Sequence, residues 1–505
     1  MERTMNRDPR PLGVAGRPLR WPAFSLALVA VAVLAGCADM SGIAPVARLN
    51  EPALPAAPAA SGADVTPALG ARWWQGFGDA QLDTLMDRAL AGNPNLRVAQ
   101  ARLARAQAVI EVADAATLPQ LNGSFDATRQ LYTKNGAVPA PLAGSIRESG
   151  TLQLSASWEI DFFGRHQAAL DAALGQARAA VADRDAAAVL LSTNVARGWF
   201  QLARIEAQLQ VARRTLAQRE ETLRLVGDRV RAGLDTRLEL KQAETNLPDA
   251  RVQIEALAEQ AQLARHALAA LAGDMSLADS LAATSLDALR PVARATRVPA
   301  DLLGRRADIA AARWRVEAAG RDVDNAKTQF YPNINLVAFA GLSSIGLDRL
   351  TESGSRQWGI GPAIRLPIFD AGRLRANLRG KTADLDAAVE SYNAAVLDAV
   401  REAADQIASQ QSIERQQAEQ RRAQEAAEAA YDIALQRYRG GLGNYLQVLT
   451  AENAVLAQRR AQVDLAARVL DNQAGLIRAL GGGWQADAPP VAAGPVNVSA
   501  AVATR

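Results

Sequence analysis

The sequence predicts a mainly α-helical chain with a membrane β-barrel portion, built from two copies of one pattern. Three observations carry this reading. Residues 151–162 alternate strictly: Leu152, Leu154, Ala156, Trp158, Ile160 and Phe162 interleave with Gln153, Ser155, Ser157, Glu159 and Asp161. That is the period of a sheet with one oily and one wet face. After Phe163-Gly164 the chain runs to about Arg229 without a proline, rich in Ala, Leu, Arg, Gln and Glu. These are strong helix formers, so the segment predicts one helix of roughly 65 residues, about 100 Å long. The same strand-then-helix pattern returns in the second half.

The duplication is legible residue by residue. Leu96, Ala99, Arg102, Leu103, Ala106, Pro119 and Leu121 recur at one constant offset as Ile309, Ala312, Arg315, Val316, Ala319, Pro332 and Ile334. Phe163 matches Phe369, and that register lays Leu152, Leu154, Trp158, Ile160 and Phe162 on Trp358, Ile360, Ile364, Leu366 and Ile368. Arg229, Gly233, Leu234, Leu238, Ala243 and Glu244 match Arg437, Gly441, Leu442, Leu446, Ala451 and Glu452. Ala-rich helices match by chance, but ordered Pro, Phe and Gly anchors do so far less easily.

Each half therefore reads helix, strand, strand, very long helix, tight turn, returning helix. The first repeat covers 71–272, with strands at about 121–133 and 151–162, a loop at 134–150, the long helix at about 164–229 and its return at 236–272. Pro248 is expected to kink the return. Residues 273–300 join the halves. The second repeat covers 301–484, with strands at about 333–342 and 358–368, the long helix at 372–439 and its return at 445–480. In that long helix Leu385, Val389, Tyr392, Val396, Ala399, Ala403 and Ile407 form a coiled-coil seam, and 409–425 is polar nearly all round. The last two strands are expected to be irregular. Val337 and Phe339 fall on the wet face, and Pro362 interrupts the final strand. The Pro/Ala/Val segment 485–505 reads as a disordered tail.

Composition excludes several classes. With 56 basic and 53 acidic residues and no basic block, nucleic acid is not the expected partner. Two His residues and one Cys leave no disulfide framework, zinc cluster or Cys/His catalytic pair within the chain. His166 and His266 stand at helical positions without a paired ligand and read as surface or packing residues. Gly359-Ile360-Gly361 lacks the helix a nucleotide loop needs. No nucleophile–base arrangement emerges, so neither an enzyme nor a cofactor is expected.

At the N-terminus, Arg3, Arg7, Arg10, Arg17 and Arg20 precede an apolar run from Ala23 to Leu34. The run is too short to span a bilayer but suits a signal-peptide core. It ends in Leu34-Ala35-Gly36-Cys37, which resembles a bacterial lipobox. By that resemblance 1–36 is a signal peptide and Cys37 is the lipidated first residue of the mature protein. Ala38 is compatible with the outer membrane. Residues 37–70 then form a Pro/Ala-rich tether.

Four strands of about 10 residues match the length of membrane-crossing strands. Four cannot close a barrel, and an open edge is not tolerated in lipid. Several copies must therefore share one barrel, giving 8, 12 or 16 strands. Phe162, Phe163, Phe330, Tyr331 and Phe369 all sit where strands meet helices, the place of an interfacial aromatic belt. Core packing is the competing reading for each.

Other motifs carry a specific likeness. Trp73-Trp74, Phe77, Leu82, Leu85, Ala89-Leu90, Asn93-Pro94 and Leu96 resemble the opening of the TolC-like outer membrane efflux proteins, in particular the lipidated NodT-type members. Leu302-Leu303-Gly304-Arg305-Arg306-Ala307-Asp308-Ile309, Phe330-Tyr331-Pro332, Leu366-Pro367-Ile368-Phe369-Asp370 and Arg437-Tyr438-Arg439-Gly440-Gly441 also fit. The resemblance implies a homotrimer with a 12-stranded barrel continuous with a long α-helical tunnel. It implies a periplasmic adaptor protein and an inner-membrane transporter as partners. By the same resemblance Gly233, Leu234, Gly441 and Leu442 form the adaptor-docking tip, and Leu446 belongs to the periplasmic gate. Thr450 and Asn453 stand where relatives carry an acid and a base, so Arg437, Arg439, Glu452 or apolar contact must serve instead. The implied function is the exit duct of a tripartite pump for antibiotics, weak aromatic acids such as fusaric acid, or other toxic organics. The alternatives are the channel of a type I protein secretion system, or a periplasm-spanning structural lipoprotein without a pore.

Overall fold

The computed structural model describes residues 40–50, 70–282, 285–292 and 302–485. The signal segment, Cys37, residues 51–69 of the tether and the tail from 486 lie outside the described residues. The chain divides into two compact units.

The first unit contains 117–165 and 323–381 together with 40–44. Its centre is a sheet of β1 (Gln120–Leu131), β2 (Ile146–Glu159), β3 (Asn333–Ile345) and β4 (Arg356–Arg365). The strands form an antiparallel meander in sequence order, so β1 and β4 are its two edges. Register puts Leu121 opposite Ala156, Phe125 opposite Leu152, Leu154 opposite Ala340, Trp158 opposite Leu336, and Ala338 opposite Ile360. One face is thereby apolar across all four strands.

Three expectations for this unit need correcting. β2 begins at Ile146, inside the segment read as a loop, and ends at Glu159, so Phe162 and Phe163 follow the strand. β3 and β4 are regular ladders, not irregular ones. Phe339 does lie on the polar face, but it is paired with Gly359, where a Cβ would meet its ring at 2.6 Å. The glycine vacates the space the ring fills. Pro362 sits in an edge strand, where a missing donor is tolerated. Finally, Phe330 is buried and joins no aromatic belt.

The second unit contains 45–50, 70–116, most of 166–322, and 382–485. Its helices are α1 (Ala80–Gly92), α2 (Pro94–Ala115), α3 (Arg165–Arg231), α4 (Arg237–Ala272), α5 (Ala307–Thr328), α6 (Arg373–Arg439) and α7 (Tyr445–Ala479), apart from the ends of α3, α5 and α6 that fall in the first unit. α3 and α6 each have 67 residues, about 100 Å at 1.5 Å per residue. α3 carries a buried seam of Ala168, Ala172, Gly175, Ala179 and Ala182, spaced alternately by four and three. Small residues let helices approach closely: a Cβ on Gly175 would stand 2.9 Å from that of Ala318. α6 buries Val389, Val396, Ala399, Ala403 and Ile407, whereas Leu385 and Tyr392 are only half-buried. α4 continues through Pro248 as one helix.

The largest core gathers Trp73, Phe77, Leu82, Met86, Trp199, Phe200, Leu268, Leu476 and Ile477, and the joining segment contributes Leu277, Leu281 and Leu286. Asp79 fixes its entry. One carboxylate oxygen caps α1, accepting from the Gln81 and Leu82 amides at 2.9 and 3.2 Å. The other accepts from Trp199 Nε1 at 2.8 Å. Asn93 repeats the device: Oδ1 caps α2 through Asn95 at 2.8 Å, while Nδ2 donates to the Leu271 carbonyl at 2.8 Å. Asp79→Ala removes a cap and strands a buried indole N–H, so it should cost about 2–4 kcal/mol. Urea unfolding of the purified protein, followed by Trp fluorescence, measures the loss; Asp79→Asn, which keeps an acceptor, should lose less.

Candidate functional site

Two regions carry chemistry suited to a membrane-crossing duct, one in each unit. The first is the apolar face of the sheet. Leu121, Phe125, Leu152, Leu154, Trp158, Trp358, Ile360 and Ile364 are all exposed, Trp358 by 78%. The opposite face ties its polar side chains to one another. Gln153 Nε2 donates to Ser155 Oγ at 2.8 Å, Gln357 Nε2 donates to Gln153 Oε1 at 3.2 Å, and Thr151 and Ser343 hydroxyls meet at 3.2 Å. A water-soluble sheet buries its oily face, and each large side chain left outside forgoes about 1.5–3 kcal/mol. This sheet is inverted, which is stable only where the surroundings are apolar.

At the base of the sheet the rings of Phe163 and Tyr331 stack at 4.9 Å with 10° between planes. Phe162, Ile368 and Phe369 stand exposed beside the strand ends, Phe369 by 89%. Asp370 then starts α6, accepting from the Leu374 amide at 2.8 Å and the Gly372 amide at 3.0 Å. Among the described residues no helix is long and apolar enough to cross a membrane.

The second region is the pair of helix-hairpin turns. Gly233 and Gly441 have φ of 70° and 74°, a conformation that costs glycine little. The Leu234 amide reaches the Arg229 carbonyl at 2.9 Å, and the Leu442 amide reaches that of Arg437 at 2.8 Å. These bonds satisfy carbonyls left open at the ends of α3 and α6. Thr236 and Glu239 form a capping box at α4, and Asn444 caps α7 through Gln447 at 3.1 Å. Both turns leave leucines in water: Leu234, Leu238, Leu442 and Leu446 are each more than half exposed. Leu446, Thr450 and Asn453 lie at four- and three-residue spacings on one exposed face of α7. The Thr450 hydroxyl donates to the Leu446 carbonyl at 2.8 Å, and none of the three carries a charge.

Behind the turns a network joins the two hairpins. Arg229 Nε donates to Asp235 Oδ2 at 2.8 Å, the Tyr438 hydroxyl donates to the same oxygen, and the Arg229 guanidinium lies 4.6 Å over the Tyr438 ring. Burial opposes ionisation of Asp235, but the Arg229 and Tyr438 hydrogen bonds outweigh it and hold the carboxyl below its usual value. Burial first, and the Asp235 carboxylate second, hold the Tyr438 phenol well above its usual value. Deeper in, Arg219 Nε pairs with Glu452 at 3.1 Å and Arg219 Nη1 donates to the Asn246 carbonyl at 3.0 Å. Burial, only partly countered by Arg219, leaves the Glu452 carboxyl raised.

Glu452 is therefore turned into the helix packing, away from the exposed face of Leu446. Arg439 pairs with Glu221 at 3.2 Å, and Arg437 donates to the Leu442 carbonyl at 3.2 Å. The sequence assigns no role to Asp235 or, beyond its place in the Arg437–Gly441 motif, to Tyr438. They stand where the two repeats disagree, opposite Gly443 and Val230, and that disagreement is the signal that points to them. Cys37 lies outside the described residues. His266 meets Gln262 at 3.0 Å, and the described residues contain no metal-binding group of His, Cys, Asp and Glu.

An inverted sheet with two open edges, and a pair of long helical hairpins, define the class of TolC-like outer membrane channels. Comparison with known proteins gives the family. The profile of the outer membrane efflux proteins matches residues 85–274 and 298–482, and the chain belongs to that family. It is 40% identical over 364 residues to the fusaric acid resistance protein FusA of Burkholderia cepacia, covering 70% of this chain and 68% of FusA. It is 35% identical over 420 residues to the pyoverdine export outer membrane protein OpmQ of Pseudomonas aeruginosa, covering 82% and 88%. The crystal structure of the outer membrane protein VceC of Vibrio cholerae superposes with a TM-score of 0.76 at 37% identity, covering 82% of this chain and 98% of VceC.

Tyr438→Phe keeps the ring over Arg229 but deletes the donor to Asp235. Loss of one hydrogen bond to a charged group, about 1.5 kcal/mol, should raise amide exchange around 228–240 roughly tenfold. The stabilisation from Asp235 is present above the ordinary carboxylate range and is lost as pH falls through its depressed value. The difference between wild type and Tyr438→Phe should therefore vanish on acidification, when exchange is corrected for its intrinsic pH dependence.

Proposed function

We propose that three copies of this chain close one 12-stranded outer-membrane barrel and form the exit duct of a tripartite efflux pump. The observation that carries the proposal is the inverted four-stranded sheet: its oily face needs lipid and its two edges need neighbours. A periplasmic adaptor docks at the tip formed by Gly233, Leu234, Gly441 and Leu442, whose exposed leucines offer apolar contact. An inner-membrane transporter supplies the energy, and the duct itself performs no chemistry.

The periplasmic gate is formed by Leu446, Thr450 and Asn453. Its closure rests on apolar and neutral polar contact, since these three carry no charge and Glu452 is engaged by Arg219. The cargo is toxic small molecules. The names of similar proteins support this range, from fusaric acid resistance in FusA to toluene efflux in TtgF of Pseudomonas putida and pyoverdine export in OpmQ. Cys37 carries acyl chains that hold the N-terminus in the outer membrane.

Purified protein should conduct ions across planar bilayers, and deletion of the gene should sensitise the host to antibiotics or weak aromatic acids. Silence in the bilayer under every condition would remove the duct. Cys37→Ser should abolish incorporation of labelled fatty acid; persistent labelling would refute the anchor.

A further inference from the structure

The segment just after Cys37 is bound by side chains that read its backbone. In the second unit Asp386 Oδ1, on α6, accepts from two successive amides, Val46 and Ala47, each at 2.9 Å. Seven residues on, the Asn393 amide is matched to an extended chain: Oδ1 accepts from the Asn50 amide and Nδ2 donates to the Arg48 carbonyl, both at 2.9 Å. An acceptor for one N–H and a donor for the C=O two residues earlier is what a neighbouring β-strand would offer. Asn393 is buried; its nitrogen also donates to Glu390 Oε2 within α6 at 3.2 Å, so it is the oxygen that takes its donor from the strap.

The spacings agree. Seven helical residues rise about 10 Å, and the three or four extended residues from Val46 or Ala47 to Asn50 span about 10–13 Å. Side-chain burial does not explain the docking, because Val46 is 84% and Leu49 55% exposed. In the first unit the Ser41 carbonyl accepts from Arg375 Nη2 at 3.1 Å, two residues into α6.

We infer that residues 41–50 are a strap whose register on α6 is set by Asp386 and Asn393, and that the strap fixes where the N-terminal anchor meets the membrane. The docking stands on the contacts above, while its consequence for anchoring rests on acylation of Cys37. With Ser41 held, the four residues back to Cys37 reach at most about 14 Å. With the strap released, the next described residue is Gly70, 33 residues from Cys37, which permits a reach of up to about 110 Å. The strap therefore confines the acyl chains to the level where α6 begins.

The test uses the full-length acylated protein in detergent and in membranes. Amides 46, 47 and 50 should exchange slowly in wild type. Asn393→Asp puts an acceptor against the Arg48 carbonyl and should speed their exchange about tenfold or more. Asp386→Asn keeps an acceptor oxygen and should stay close to wild type. Asn50→Pro removes a donor from the strap without touching α6, so a defect there cannot come from a misfolded helix. In Asn393→Asp and Asn50→Pro the outer-membrane fraction should fall severalfold while fatty-acid labelling of Cys37 is unchanged. Strap amides that exchange as fast in wild type as in a free peptide would overturn the docking. A released strap with undiminished insertion would overturn the positioning role. If wild-type Cys37 takes no label, the anchor reading fails on its own, and exchange still decides the docking.

Discussion

Hydrocarbon offers no hydrogen bonds, so a sheet that crosses it has to satisfy every backbone N–H and C=O from within the protein. This chain supplies four strands, with β1 and β4 as open edges. It also turns Leu121, Phe125, Leu154, Trp358 and Ile360 outward. Neither feature is tolerable for a single copy in water. Both become favourable together once edges meet edges and the outer face meets lipid. The same constraint governs what faces inward. Thr151, Gln153, Ser155, Ser343 and Gln357 bond side chain to side chain, a neutral cluster that orders the middle of the polar face. Where an apolar ring intrudes, Gly359 makes room for Phe339 within the ladder.

The helical hairpins solve a different problem with a duplicated sequence. Both turns use the same glycine conformation and the same leucine amide closing on an arginine carbonyl. Identical hairpins would offer one another the same contacts in both directions. The contacts that set their register come from positions where the copies diverged. Asp235 has no counterpart carboxylate at Gly443, and Tyr438 has no counterpart hydroxyl at Val230. Their mutual hydrogen bond, braced by Arg229, therefore joins first hairpin to second and not the reverse. Arg219 and Glu452 form a second pair at greater depth that diverged at one end only: Glu452 is matched by Glu244, but Arg219 stands against Ala427. Breaking such a buried pair from one side leaves an uncompensated charge, which costs more than the pair itself contributes.

Periodicity carried most of the fold into view. Strict alternation marks 151–159, proline-free Ala-rich runs mark the two 67-residue helices, and Gly233 and Gly441 mark their reversals. What stayed hidden has specific causes. The start of β2 reads Ile146-Arg147-Glu148-Ser149-Gly150, whose adjacent charges and glycine erase the alternation, although Arg129 across the ladder pairs with Glu148. Phe330 looks like its exposed neighbour Tyr331 in sequence, but only the packing decides which ring is buried. Asn393 sits beside Tyr392 of the helical seam and breaks no pattern. Its partner is the backbone of a segment more than 340 residues away, and backbone leaves no mark in side-chain periodicity.

That last case bears on how such a chain distributes its constraints. Contacts that recognise side chains restrict residue types on both partners. Asp386 and Asn393 recognise amides and a carbonyl, so the strap can carry exposed Val46 and Leu49 while its spacing stays fixed. An inserted residue between Ala47 and Asn50 would break the match to α6, whereas most substitutions of Leu49 would not. The helix pays for this with two polar groups on a face otherwise committed to apolar packing, one of them buried. A buried amide is stable there only while both its oxygen and its nitrogen are engaged. Glu390 of the same helix engages the Asn393 nitrogen, so what the strap adds is a donor for the oxygen, and its fit is set by chain length more than by composition.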